Sequence, residues 1–302
     1  MVRVMVRGLG LLQPPTRLVH DRRAARTDVH IHPTPPHTQQ EKASLLPVLA
    51  LDLQPGQSIL DLCGAPGSKT TQILEKIELL EKGHGEKCLL VVNEYQKSRA
   101  KKLAGRLWRH PCSHTLLTCT DARFFPSMMR LPEGRDFPTK LKFDRVLADV
   151  PCSGDGTYRK DANGWSKWDP KNGLLLHSHQ LAILSRGLDL LDKNGTMLVY
   201  STCSLNPIEN EAVVAAALIV FKGSVRLEVP DVPKIEWEEG ISRWKVPDPN
   251  WMENGILYSE YDQVPDSSRP RGAAYQGDPE RGAPHHKPFC CTSQKKVISS
   301  SG

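Results

Sequence analysis

Between residues 58 and 202, short apolar and β-prone runs alternate with longer amphipathic ones, and a chain punctuated this way has few ways to fold. SILDLC (58–63), KCLLVVNE (87–94), HTLLTCTDA (114–122), FDRVLADV (143–150) and TMLVYST (196–202) read as strands. In the segment GSKTTQILEKIELLEKG (67–83), Ile73, Leu74, Ile77 and Leu80 share one helical face. YQKSRAKKLAGRLWRH (95–110) turns Ala100, Leu103, Ala104, Leu107 and Trp108 inward and most of its Lys and Arg residues outward. A long helix is expected near 172–191. Strands that alternate with helices predict an α/β fold, a mostly parallel sheet with helices on both faces.

A further helix is expected from Asn206, with Pro207 at its first position and Glu209 closing an Asn-x-x-Glu capping box. Residues 1–37 show no periodicity, end in HIHPTPPH, and read as an irregular N-terminal extension. The organisation expected is therefore a core over 38–222, a C-terminal segment over 223–267, and a disordered tail over 268–302, where SRPRGAAYQGDPERGAPHHKP falls.

Composition narrows the function classes. Hydrophobic residues at 39% and charged residues at 25% fit a globular protein, and the net charge of +6 permits a nucleic-acid partner. No apolar run reaches the ~20 residues needed to cross a bilayer, so no membrane partner is expected. The opening MVRVMVRGLGLLQPP is too broken for a secretory signal, although the arginines of residues 1–27 leave a weak mitochondrial-type presequence open. The eight cysteines contain no C-x-x-C pair, so no metal cluster is expected and the thiols read as reduced.

In an open parallel sheet, ligands bind at the carboxyl ends of the strands. DLCGAPGSKT (61–70) leaves the first strand of the core there. It fails the phosphate-loop pattern, because Ser68 and Cys63 stand where glycines are required, and it fails G-x-G-x-x-G. Gly64 and Gly67 around Pro66 still make a tight turn that a ligand can approach. Glu94, at the end of the second strand, is placed for a ribose diol, and Asp121, after the third, for an adenine amine. Turn, ribose acid and adenine acid together point to an adenosyl ligand without a pyrophosphate, S-adenosyl-L-methionine.

Two further strand ends carry cysteines: Asp149-Val150-Pro151-Cys152 and Ser201-Thr202-Cys203-Ser204. A thiolate added at carbon 6 of a cytosine makes carbon 5 nucleophilic enough to take a methyl group. An acid must assist the addition and a base must later remove the carbon-5 proton. Asp149 lies near enough to Cys152 to touch the same base edge, and Lys69 is the cation available to activate a thiol. A positive charge is unfavourable at a helix start, which favours a functional role for Lys69. Cys63, Cys88 and Cys119, in contrast, read as buried core thiols.

LDLCGAPGSKTTQIL (60–74), ADVPCSGDGTYRK (148–160) and YSTCSLNPIENEAVV (200–214) resemble the NOL1/NOP2/sun (RsmB-like) family of RNA cytosine carbon-5 methyltransferases. GDGTYRK, the stretch WSKWDPKNGLLLHSHQLAILSRGLDLL (165–191) and EGISRWKV (239–246) are similar to its eukaryotic tRNA-methylating branch. The resemblance runs from about Gln40 to Ser268. It implies a Rossmann-like, S-adenosylmethionine-dependent methyltransferase with Cys203 as nucleophile and Cys152 assisting release. Asp149 and Lys69 complete the catalytic set it implies. Cofactor contacts fall on Cys63, Gly64, Ala65, Pro66, Gly67, Ser68, Lys69, Glu94, Asp121 and Asp149. The partner implied is RNA, in particular tRNA, held by a monomer in the nucleus or nucleolus, with cytoplasm and mitochondrion as alternatives. The basic helix 97–109 and Arg159-Lys160 are the expected phosphate contacts.

Some of the family pattern is absent. Glu94 stands for the usual Asp, and Gly64 for the usual Ala. Nothing after Ser268 matches the Gly-Gly-Phe-Phe segment that supplies closing strands, so one sheet edge is expected to lie uncovered. A truncated, inactive cofactor- or RNA-binding protein is therefore the alternative. A DNA cytosine methyltransferase is disfavoured, since Cys203 would then have no task.

Overall fold

The described residues of the computed structural model are 2–7, 42–110, 114–130, 137–158, 164–169, 171–192, 196–233 and, from 235 to 259, all but 236, 239, 242, 243 and 249. In chain order the elements are β1 (Val2–Arg7), α1 (Lys42–Ala50), β2 (Ser58–Asp61), α2 (Ser68–His84), β3 (Leu89–Asn93), α3 (Lys97–Leu107) and β4 (Thr115–Thr118). A short antiparallel pair, β5 (Met129–Arg130) and β6 (Thr139–Lys140), precedes β7 (Arg145–Asp149), α4 (Lys171–Leu190), β8 (Met197–Ser201), α5 (Glu211–Val220) and β9 (Val225–Leu227). β10 (Val246–Pro247), α6 (Trp251–Asn254) and β11 (Leu257–Tyr258) follow, with β10 and β11 paired.

Seven strands form one sheet in the order β4-β3-β2-β7-β8-β1-β9, and every pair in it is parallel. The period of two along each strand sorts side chains between two cores. Leu60, Val146, Leu198 and Tyr200 face a cluster with Leu181, Leu184 and Leu188 of α4 and Val213 and Val214 of α5. Ile59, Leu147, Met197 and Val199 face the opposite cluster, with Leu51, Ile73, Ile77 of α2 and Leu103 of α3. The helices thus lie on both faces, as the strand and helix alternation predicts. The chain runs outward from β2 on one side and from β7 on the other, so the β2/β7 junction is the point where strand order reverses.

Several expectations require correction. Residues 2–7, placed in an irregular extension, form β1 between β8 and β9. VRVMVR in fact alternates valine with other residues, a strand pattern too short to stand out. The core does not stop at residue 222, because β9 belongs to the main sheet. The sheet also continues past β8 through β1 and β9, and β9 is its last strand on that side among the described residues. α1 has no helical signature in the sequence, because Pro47 lies inside it and reads as a breaker. The tail 268–302, the segment HIHPTPPH and the pair Arg159-Lys160 lie outside the described residues.

The capping box at Asn206 is also not formed. Asn206 Oδ1 accepts from Ile208 N in a local turn, and α5 starts only at Glu211. Asn210 interrupts the helix with non-helical backbone, while its side chain bonds Thr202 Oγ1 and the Ser204 carbonyl. On α3, Ala100 and Leu103 are buried, but Ala104 is exposed and Trp108 is 92% exposed. The helix ends at Leu107, which leaves Trp108 past the edge of the core.

Candidate active site

The parallel register of β7 and β8 pairs Asp149 with Ser201, so the chains leaving both strands deliver their cysteines to one place. Cys152 Sγ lies 3.2 Å from Cys203 Sγ, and the Cys203 N–H also points at the Cys152 sulfur, at 3.3 Å. The loop after Cys152 folds back over the second cysteine: Gly156 N donates to the Cys203 carbonyl at 3.0 Å. A Cβ at Gly156 would sit 2.7 Å from that oxygen, so only glycine permits this approach.

Lys69 Nζ reaches Asp149 Oδ2 at 2.6 Å, and Ser201 Oγ donates to Asp149 Oδ1 at 2.7 Å. Lys69 opens α2, which begins after Gly67 in the left-handed region at φ 104. The first-loop cation and the fourth-strand acid named from sequence are thus in direct contact beside the cysteine pair. The Cys203 thiol is held below its ordinary value by its hydrogen bond with Cys152, with Lys69 acting in the same direction against burial and Asp149. Cys152 is pushed up, first by its hydrogen bond to Cys203 and then by burial. The two shifts run in opposite directions, so Cys203 is the more readily ionised thiol of the pair.

The other candidate residues line the ends of β2, β3 and β4. Gly64 N donates to the Asn93 carbonyl at 2.8 Å, which fixes the 63–68 turn against β3. Glu94 is buried and turned to this turn, accepting from Ala65 N at 3.3 Å and from Gln96 N at 2.9 Å. Arg99 bonds the Ala65 carbonyl at 2.5 Å and lies 3.7 Å from Glu94. Asp121 faces its own Arg123, 2.6 Å away, whose guanidinium holds the carboxyl below its usual range. Cys63 is half-buried, and burial pushes its thiol up. Cys88 is buried, but Cys119 is exposed, contrary to its reading as a core thiol. β4 ends at Thr118, which places Cys119 beyond the sheet.

Supporting residues that the sequence reading passed over sit behind this site. Asn93 is buried and ties three strand ends: its Nδ2 donates to the Leu62 and Thr120 carbonyls, and its Oδ1 accepts from Thr118 and Thr120. A lone Asn in the apolar run KCLLVVNE was the available signal. Asp61, fully buried, accepts from Thr70 Oγ1 and Cys63 N, and burial raises its pKa to about 6. Glu209, expected as a cap, is instead buried behind both cysteine loops.

The carboxyl-end crevice, the turn that fails both phosphate patterns and the paired thiols define a Rossmann-like methyltransferase site. The Pyrococcus horikoshii structure of NSun6 with SFG superposes with a TM-score of 0.51 at 28% identity, covering 64% of this chain and 44% of that one. Residues 48–254, more than half of the chain, match the 16S rRNA methyltransferase RsmB/F family, and the chain belongs to that family. It is 45% identical over 219 residues to the multisite-specific tRNA:(cytosine-C(5))-methyltransferase of Saccharomyces cerevisiae, covering 72% of this chain and 31% of that protein. It is 36% identical over 236 residues to the tRNA (cytosine(34)-C(5))-methyltransferase of Drosophila melanogaster, covering 76% and 31%. The chain spans about a third of the length of these curated relatives.

Proposed function

We propose that the chain transfers a methyl group from S-adenosyl-L-methionine to carbon 5 of a cytosine in RNA, in particular tRNA, through a covalent adduct with Cys203. The observation that carries this reading is the approach of two thiols to 3.2 Å at neighbouring strand ends, with a lysine–aspartate pair beside them. A structural role alone gives no reason for two reduced cysteines of unequal acidity in one crevice.

The cofactor fits the residues present. The 63–69 turn, Glu94 and Asp121 stand at the ends of three adjacent strands, and Asp149 lies at the end of the fourth, with no phosphate cradle among them. When bound, S-adenosylmethionine supplies an electrophilic methyl group. The chain's own residues prepare the base to take it. The Cys203 thiolate gives an electron pair to carbon 6, the ring electrons shift toward carbon 5, and a proton enters at ring nitrogen 3 from an acid on the Asp149 edge. After transfer, a base takes the carbon-5 proton. That electron pair restores the ring double bond, the sulfur–carbon bond breaks, and the thiolate returns while nitrogen 3 gives back its proton. One proton is released overall. Cys152, beside the nucleophile, assists this elimination.

RNA presents such a base splayed out of its stack, with cations on the flanking phosphates. Lys97, Lys101, Lys102 and Arg109 are exposed on or just past α3 and suit that role. The nuclear assignment rests on the likeness to the tRNA-methylating branch. No described helix is long and apolar enough to cross a membrane.

Labelled methyl transfer to tRNA transcripts tests the proposal. Cys203→Ala is expected to abolish transfer, and Cys152→Ala to accumulate an RNA–protein adduct on denaturing gels. Transfer by Cys203→Ala at the wild-type rate assigns the nucleophile elsewhere; absence of any adduct removes Cys152 from release.

A further inference from the structure

We propose that Glu209 is a positioning residue for both cysteines, tying the loop that carries Cys152 to the loop that carries Cys203 and keeping the two thiols unequal. The inference rests on the cytosine-methyltransferase reading and assigns a residue which that reading leaves unexplained.

Glu209 is fully buried, with 0% of its surface exposed. Its Oε2 accepts from Ser153 N at 2.8 Å and from Gln180 Nε2 at 3.0 Å. Its Oε1 accepts from Ser153 Oγ at 2.5 Å and Ser204 Oγ at 2.8 Å, and the two hydroxyls lie 3.2 Å from each other. Ser153 follows Cys152 and Ser204 follows Cys203, so each thiol is one residue from a group held by the same carboxylate. Gln180, on α4, also donates to the Pro151 carbonyl at 2.9 Å, just before Cys152. Tyr200 OH bonds the Glu209 carbonyl at 2.6 Å and fixes its backbone to β8.

Among the described residues no Lys or Arg forms an ion pair with Glu209. Four hydrogen-bond donors replace its water, a costly way to hold two loops when neutral residues serve as well. What a neutral residue cannot supply is charge. The Glu209 carboxylate adds to the influences that push Cys152 up, behind the Cys203 hydrogen bond, burial and the charge of Cys203. Lys69 acts on Cys203 in the opposite direction. Glu209 therefore adds to the inequality at Cys152, and Lys69 adds to it at Cys203 against the opposing charge of Asp149.

Glu209→Gln separates charge from geometry. The amide can donate to both serine hydroxyls, which turn to receive it, while its oxygen still accepts from Ser153 N and Gln180. Iodoacetamide alkylation of the full chain without RNA, with peptide mapping, is expected to modify Cys203 over Cys152 at least tenfold in the wild type. In Glu209→Gln that preference falls at least fivefold, and kcat for tRNA methylation drops about 50-fold with KM for RNA within threefold. Ser153→Ala keeps the charge and the bond from the residue-153 backbone but removes the hydroxyl link between the loops: kcat falls several-fold while the alkylation preference stays. A wild-type preference together with kcat within twofold of wild type in Glu209→Gln overturns the proposal. Should Glu209→Gln not fold, an unchanged kcat in Ser153→Ala overturns it. A wild-type chain that methylates no RNA defeats the functional reading, and the alkylation ratio still decides on Glu209.

Discussion

The two halves of the crevice are built differently. At the ends of β3 and β4 the acids find partners on the same or the adjacent strand end: Asp121 takes Arg123, and Glu94 takes Gln96 N, Arg99 and, from the turn after β2, Ala65 N. At the ends of β7 and β8 the partners come from far along the chain. Lys69 meets Asp149, Ser201 meets Asp149, and Ser153 and Gln180 meet Glu209. The first half needs only β2, β3 and β4, which follow one another in the chain, whereas the second exists only once β2, β7 and β8 lie side by side. Cofactor-side geometry thus comes from strands consecutive in the chain, and thiol reactivity is a property of the fully assembled sheet.

The sharpest way to break this contrast is to remove a residue that bridges it. Lys69 leaves the cofactor-side turn and ends on Asp149. Lys69→Met leaves Asp149 uncompensated beside Cys203 and withdraws a charge that lowers the thiol. The rate of methyl transfer in a single turnover is expected to fall about 1,000-fold at neutral pH. The rising limb of the pH–rate profile moves to higher pH, because Cys203 then ionises less readily. A profile with its wild-type position and a rate within threefold of wild type separates Lys69 from the thiol.

Asp61 lies on the seam between the halves, bonded to Thr70 and Cys63 but raised further by Asp149. Burial first, then that neighbouring charge, takes its folded pKa from 3.8 to about 6. The folded chain therefore binds this proton more tightly than the unfolded chain. Its contribution to stability is present below about pH 4 and is lost as pH rises through 6. The whole change is about 3 kcal/mol. In Asp61→Asn the amide donates to Thr70 Oγ1, which already has the Gly64 carbonyl as an acceptor at 3.1 Å. Urea unfolding at pH 4.5 and 7 should show wild type losing most of that stability relative to the variant. Parallel pH curves remove the buried charge from the account.

The same division explains what could be read in advance. Apolar runs and helix faces are local patterns, and they placed β2, β3, β4, β7, β8 and the helices between them. The turn at Gly64–Lys69 and the cysteines at two strand ends were legible for the same reason. The role of Glu209 was not, because Asn-x-x-Glu is a capping pattern by spacing, and only the meeting of Ser153, Ser204 and Gln180 redirects the carboxylate. β1 stayed hidden because its partners, Met197–Ser201 and Val225–Leu227, lie nearly the whole core away in sequence. A six-residue strand carries too little pattern to name them.

The smallest predicted effect tests whether the cofactor half is as self-contained as its bonding suggests. Arg99 stands 43% exposed, one branch on the Ala65 carbonyl and the other near the buried Glu94. Arg99→Ala leaves Glu94 its bonds from Ala65 N and Gln96 N, so the carboxylate keeps partners and the fold is expected to lose only about 1 kcal/mol. The turn loses its outer clamp, and calorimetry should show S-adenosylmethionine binding about tenfold more weakly. Arg99→Lys recovers little of this, since an ammonium cannot span both sites as the guanidinium fork does. The iodoacetamide preference for Cys203 over Cys152 should not move in either variant, because neither removes a group that touches the thiols or their loops. A shift in that preference means the two halves communicate through the turn, and the contrast between the half built from consecutive strands and the half built from distant ones fails at its nearest point.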